Sequence, residues 1–233
     1  MENENRAPST FKEKAENFWY YYKWHTVVAL FLVFAIVICS LQMCQNTTPD
    51  VYVMYAGGKS FVSRSDEGET APHLTALSSL RRFADDYNGD GEIVIELETY
   101  YIPTAAEVKE IEDNGGFVDT TYVNKNKTDF NDMLVFGDYL ILVMSEELFK
   151  ESYTLSSANP FAPLAQYASG SELNYLNDYA VYLNSTALGD MPVFSDMPAD
   201  TVVCFRVFSE VALFRPDKEL YAKSEEMLRN ILK

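Results

Sequence analysis

Between Trp24 and Thr48 the chain has no Asp, Glu, Lys or Arg, and residues 27–41 read VVALFLVFAIVICSL with Ser40 as the only polar side chain. At a rise of ~1.5 Å per residue, about 20 such residues cross a hydrocarbon core of roughly 30 Å. Inside that core every backbone polar group must be satisfied within the segment, which commits the stretch to a helix. Just before it, Phe18-Trp-Tyr-Tyr-Tyr-Lys-Trp-His25 holds both tryptophans of the chain, and amphipathic rings of this kind settle at the head-group level of a bilayer. The expected organisation is a tail over 1–23, a transmembrane helix over 24–44, a linker over 45–49 and one globular domain over 50–233.

Orientation follows from the basic residues. Lys12, Lys14 and Lys23 precede the span and the first basic residue after it is Lys59. The positive-inside rule then places the N-terminus in the cytoplasm and the C-terminal domain outside the plasma membrane. The apolar run exceeds the ~7–15 residues of a cleaved signal peptide, so an uncleaved signal anchor is expected. A lipoprotein site at Cys44 would want a small residue where Met43 stands.

Charge narrows the partners. The formal net charge is −17. Residues 1–48 set Arg6, Lys12, Lys14 and Lys23 against Glu2, Glu4, Glu13 and Glu16, so the whole excess lies on 49–233. Such a surface repels nucleic acid and anionic head groups and favours cationic ligands, metal ions or basic partner surfaces. The three cysteines, Cys39, Cys44 and Cys204, place only one thiol in the outer domain and build no disulfide framework there. Sequons at Asn46, Asn126 and Asn184 would accept glycans only on a eukaryotic secretory route.

Periodicity in the outer part alternates between strand and helix. Strands are expected at Asp50–Ala56, Glu92–Leu97, Asp138–Met144, Asp178–Leu183 and Thr201–Val207. Helices are expected over Pro72–Tyr87, Pro103–Asp113, Lys127–Phe136, from Ser145 onward, over Phe161–Ala168, and over Pro216–Leu232. The uninterrupted apolar run Tyr139–Met144 is what a strand buried on both faces requires. The pattern implies an α/β fold: one N-terminal transmembrane helix followed by a single three-layer α/β domain with a mostly parallel sheet.

Candidate chemistry is sparse. Asp86-Tyr-Asn88-Gly-Asp90-Gly-Glu92-Ile93 matches the front half of a calcium loop. Oxygen side chains stand at positions 1, 3 and 5, Gly91 at 6, the Glu92 carbonyl at 7 and an apolar residue at 8. Position 12, where a bidentate Glu belongs, is Leu97, so the competing expectation is a plain turn built on Asn, Gly and Asp. Ca2+ at Asp86, Asn88, Asp90 and Glu92 is the one cofactor the residues suggest. Ala56-Gly-Gly-Lys-Ser60 imitates the end of a phosphate loop, but Val53 stands where its first glycine should be. His73 begins a helix with no companion motif, Cys204 reads as a buried small apolar residue, and Arg206 is a lone charge within a strand, suited to a surface-facing position, to a salt bridge or to an anion or carboxylate.

Three segments carry a resemblance: Asp86–Gly91 before a strand, Phe136-Gly-Asp138-Tyr-Leu-Ile-Leu-Val-Met-Ser145-Glu-Glu-Leu-Phe149, and Phe161-Ala-Pro-Leu164. Together they resemble pieces of the extracellular solute-binding proteins of bacterial ABC importers, and also uncharacterised membrane-anchored bacterial proteins that carry such a domain. The resemblance implies a periplasmic-binding-protein-like lobe in which a Gly-Asp pair opens a strand leading to the ligand cleft. The importer proteins grip solute between two lobes, and residues 50–233 have room for one. On that analogy a site would lie beyond the carboxyl ends of the strands, near Ala56–Ser60, Thr99–Tyr101 and Ser145. The functional expectation is a membrane-anchored binding or interaction module, with a small-molecule solute or an envelope protein as its partner. A carboxylate- or metal-dependent extracytoplasmic enzyme and a structural subunit of a membrane complex stand as alternatives.

Overall fold

The computed structural model describes residues 10–45, 48–59, 71–155, 159–168, 172–207 and 218–233, and these divide into two compact units, one up to Thr48 and one from Pro49. The first unit is a single helix, α1 (Phe11–Gln45). Its stretch Lys14–Cys39 is long and apolar enough to cross a membrane, and none of it is buried in protein. The helix starts well before the expected span, since Phe11–Lys23 contains no Gly or Pro to interrupt it. Along this extension Phe18 stacks on Tyr22 at 5.2 Å, and Tyr22 meets His25 edge-on at 6.1 Å. Asn46 and the side chain of Cys44 lie outside the described residues.

The second unit is one six-stranded sheet with helices on both faces. In chain order it comprises β1 (Val51–Gly57), α2 (Ala71–Leu80), β2 (Ile95–Tyr101), α3 (Ala105–Asp113), α4 (Thr120–Phe136), β3 (Ile141–Ser145), α5 (Glu146–Leu155), β4 (Tyr175–Asn177), β5 (Ala180–Tyr182), β6 (Thr201–Phe205) and α6 (Lys218–Ile231). The strands are ordered β2-β1-β3-β6-β5-β4. One apolar cluster packs Leu77 and Leu80 of α2 with Met227, Leu228 and Ile231 of α6 against Val53, Val143 and Val203. The other packs Phe130 and Leu134 of α4 with Leu148 and Phe149 of α5 against Met54, Leu142 and Cys204. Odd and even strand positions therefore face different helix layers, as the period of two demands.

The sheet is mixed, which corrects the expectation of a mostly parallel one. β1 runs parallel to β2 and β3, but β3–β6, β6–β5 and β5–β4 are antiparallel. A parallel return needs a crossover that carries the chain back along the sheet, usually a helix. The segment between β5 and β6 has only a short 3-10 turn at Leu183–Ser185 and no α-helix, and β4 and β5 form a tight hairpin through Asp178 and Tyr179. The run Ile141–Ser145 is central and wholly buried, yet burial on both faces looks the same in sequence whether a neighbour is parallel or antiparallel.

Boundaries moved for local reasons. α2 stops at Leu80 because the next amides turn tighter: Arg82 donates to Ser79 O and Phe83 to Leu80 O. Phe83 and Ala84 still reach the core. α3 begins at a capping box in which Thr104 and Glu107 each accept from the other's backbone amide. α4 begins seven residues ahead of expectation, where Asp119 caps the amides of Thr121 and Tyr122. In place of a helix over Phe161–Ala168 there is a single bridge between Phe161 and Arg206 and a 3-10 turn at Leu164–Gln166. Asn126 is buried and donates to Tyr101 O at 3.0 Å, so its sequon has no accessible amide.

Candidate functional site

The proposed calcium turn is a closed hydrogen-bonded unit. Asp86 Oδ1 accepts from the amides of Gly89 (2.7 Å) and Asp90 (3.2 Å), and its Oδ2 accepts from Gly91 (2.8 Å). Asn88 Oδ1 accepts from the Asp90 amide, Asn88 Nδ2 donates to Asp90 Oδ2, and Asp90 Oδ1 accepts from the Glu92 amide. Gly89 and Gly91 hold φ of +74° and +91°, which only glycine adopts freely. Asp86, Asn88 and Asp90 thus meet in one turn, while Glu92 leads out of it with an exposed side chain. Leu97, at the twelfth position, is buried in the core. Among the described residues no three His, Cys, Asp or Glu side chains converge as a metal would need.

The turn is held from beneath by a residue the sequence did not single out. Asp50 is buried at 1% exposure. Its Oδ1 accepts from the amides of Tyr87 and Asn88, and its Oδ2 from Val94 at 2.9 Å. In sequence it stood only as the first residue of a strand. An acid directly before an alternating apolar run was the available signal.

At the carboxyl ends of the parallel strands, polar groups are taken up by the fold itself. Ser145 Oγ accepts from the Leu148 amide and so caps α5. Glu107 is held in its capping box by Thr104. Tyr55 Oη accepts from the Lys59 amide, and Tyr182 donates to Glu146 at 2.8 Å. Ser60 lies outside the described residues.

A cleft opens at the other end of the sheet, where the chain enters the domain. It has a volume of about 500 Å³ and is lined by Tyr52, Asp132, Met133, Phe136, Gly137, Asp138 and Tyr139, within the ~300–1,000 Å³ of ordinary ligand sites. Tyr52 comes from the second position of β1. Asp132, Met133 and Phe136 come from the last turn of α4, at spacings that put them on adjoining faces. Gly137-Asp138-Tyr139 leads into β3. Tyr52 and Tyr139 meet edge-to-face at 5.7 Å, while Phe136 is 60% exposed and Met133 38%, an apolar wall open to solvent.

Arg206 builds that wall. It is buried at 6% exposure, and its guanidinium donates to the carbonyls of Val135 and Gly137, which the end of α4 leaves without an intrahelical partner, and to Met133 O, which also accepts the Gly137 amide. Its own amide donates to Leu140 O. Arg206 is therefore turned inward: its guanidinium caps α4 and joins it to β6. Burial lowers its pKa, and Asp138 offsets part of that effect. Gly137 is required by close approach, since a Cβ there would lie 2.7 Å from the Met133 carbonyl oxygen.

The cleft is electronegative. Burial first, then Asp138 and Glu96, raise the pKa of Tyr52. Tyr139 is pushed up by burial and then by Glu98 and Glu96. Glu96 pairs across from Tyr52 in the β1–β2 register, and Glu98 from Met54. Carboxylates from β2 and the β3 entry thus act on two tyrosine rings, and Asp132 of α4 lines the same cleft.

Cys204 lies fully buried in β6, and burial raises its thiol pKa well above the usual range, which keeps it in the unreactive protonated form. His73 sits half-buried within α2. No family model, no curated protein and no solved structure matches this chain, so the cleft's own geometry carries the functional reading.

Proposed function

We propose that the protein is a membrane-anchored extracytoplasmic binding module: α1 holds it in the membrane with its N-terminus in the cytoplasm, and the α/β domain presents the cleft between α4 and the starts of β1 and β3. The observation that carries this reading is a cleft whose wall exposes Phe136 and Met133 to solvent over the half-buried Tyr52 and the buried Tyr139, on a domain joined to so apolar a helix. Exposed apolar side chains gathered around a concavity mark a binding surface. In this reading a single solute-binding-like lobe serves for recognition without a second lobe to close over the ligand. A protein partner in the envelope suits an open cleft better than an enclosed solute.

Topology tests it. Cysteines introduced singly at Lys12 and Glu110, with Cys39 and Cys44 changed to Ser, would be labelled in intact cells with a membrane-impermeant maleimide. Cys204 is too buried to interfere. The reading requires Glu110→Cys to label without permeabilisation and Lys12→Cys to label only after it. The reverse pattern would overturn it.

A further inference from the structure

We propose that the cleft takes the guanidinium or ammonium group of a basic segment on a partner protein, seated against Tyr52 and Phe136 and paired with Asp132 and Asp138. The inference rests on the binding-module reading and adds the chemistry of the partner.

Aromatic faces attract cations through their quadrupole, and the attraction grows as the cation is shielded from water. Here that attraction has carboxylates on several sides. Asp132 and Asp138 line the cleft, and the potentials of Asp138, Glu96 and Glu98 reach Tyr52 or Tyr139. α4 also ends at the cleft, but Arg206 caps its last carbonyls, so the carboxylates and not the helix dipole supply the negative charge there. The cation built into this region, Arg206, directs three guanidinium N–H groups at the carbonyls of residues 133, 135 and 137. Its charge stabilises the wall and leaves both aspartates facing solvent. The excess of −17 charges on the outer segment draws basic surfaces toward the domain. The same excess disfavours an anionic lipid surface, which makes a basic protein segment the better occupant.

The test uses the full chain in zwitterionic nanodiscs, with an acetylated and amidated oligoarginine peptide as probe and a citrulline peptide of the same length as its neutral isostere. Binding is read by microscale thermophoresis at moderate salt. The expected result is saturable binding of oligoarginine and none of citrulline. Asp132→Asn with Asp138→Asn should weaken binding about tenfold, equivalent to about 1.4 kcal/mol. Phe136→Ala should weaken it about threefold or more through the lost ring face. A charge-matched control, Glu110→Gln with Asp113→Asn on exposed α3, removes the same charge elsewhere and should leave affinity nearly unchanged. Equal losses in cleft and control variants would reduce the effect to the domain's general field and overturn the proposal, as would equal binding of citrulline. Neither of those results depends on topology, so the ligand class can fail while the membrane-anchored module stands.

Discussion

Replacing Asp50 with Ala removes the acceptor of three backbone N–H groups at once. The carboxylate is 1% exposed and takes bonds of 3.0, 3.1 and 2.9 Å from Tyr87, Asn88 and Val94. Hydrogen bonds to a charged group contribute about 1.5–3 kcal/mol each, and leaving a buried donor without a partner costs a similar amount. The three are not independent, and the space freed by truncation admits water to some of them, so the expected loss is about 3–5 kcal/mol. That is a large part of the roughly 5–15 kcal/mol available to a whole domain. Asp50→Asn keeps an oxygen for Tyr87 and Asn88 but turns an N–H toward the Val94 N–H, so it should fall between Ala and wild type. Cys204, fully buried in β6, supplies the assay: with Cys39 and Cys44 changed to Ser, maleimide labelling of the full chain in detergent across a urea series reports opening of this domain without interference from α1. A midpoint shift equivalent to less than about 1 kcal/mol for Asp50→Ala, well under one charged hydrogen bond, would refute the reasoning.

Other expectations follow from the same contacts. Arg206→Met should destabilise the domain by about 2 kcal/mol or more by uncapping α4, and hydrogen exchange should show the loss concentrated at residues 133–140. Gly137→Ala should perturb the same segment, because its Cβ would press on the Met133 carbonyl. Calcium at millimolar concentration should leave the melting temperature of the wild type unchanged, since the Asp86 and Asp90 oxygens serve the turn and Leu97 replaces the closing ligand; a rise abolished by Asp90→Ala would contradict this. In alkali, Tyr87 and Tyr100, both pushed up to about 12 chiefly by burial, should titrate late in absorbance at the phenolate band. Their folded pKa lies above the unfolded value of 10, so the stability they contribute is complete below pH 10 and is lost as pH rises from 10 toward 12. Tyr100→Phe should lessen that loss, as measured by urea midpoints through this window.

Much of the architecture was legible where a local pattern and the tertiary fold agree. The charge-free run from Trp24 marked the long helix, alternation marked β1, and the unbroken apolar run marked β3 as central. What was hidden depended on partners distant in sequence. Strand direction was set by a connection from β5 to β6 that lacks an α-helix, and no residue in β6 itself signals its direction. The β4–β5 hairpin went unseen because Tyr175–Asn177 is too short to show alternation. Arg206 was noticed as a lone strand charge, but its role belongs to the end of α4, some 70 positions away. The cleft escaped for a related reason. By analogy with open α/β sheets a site belongs at the carboxyl ends of the strands, while the exposed Phe136, the half-buried Tyr52 and the buried Tyr139 come together at the amino ends only after folding. Gly137-Asp138, singled out as a strand opening, does line that cleft.

The most direct measurement is site-specific photo-cross-linking in intact membranes. A benzophenone side chain would replace Phe136, and the same group at Phe117, 87% exposed and remote from the cleft lining, would be the control. The account predicts a discrete protein adduct from position 136, lost when Asp132 and Asp138 are both changed to Asn, with none from position 117. Equal adducts at both positions, or none at 136 in membranes where the domain is folded and labelled from outside, would contradict it.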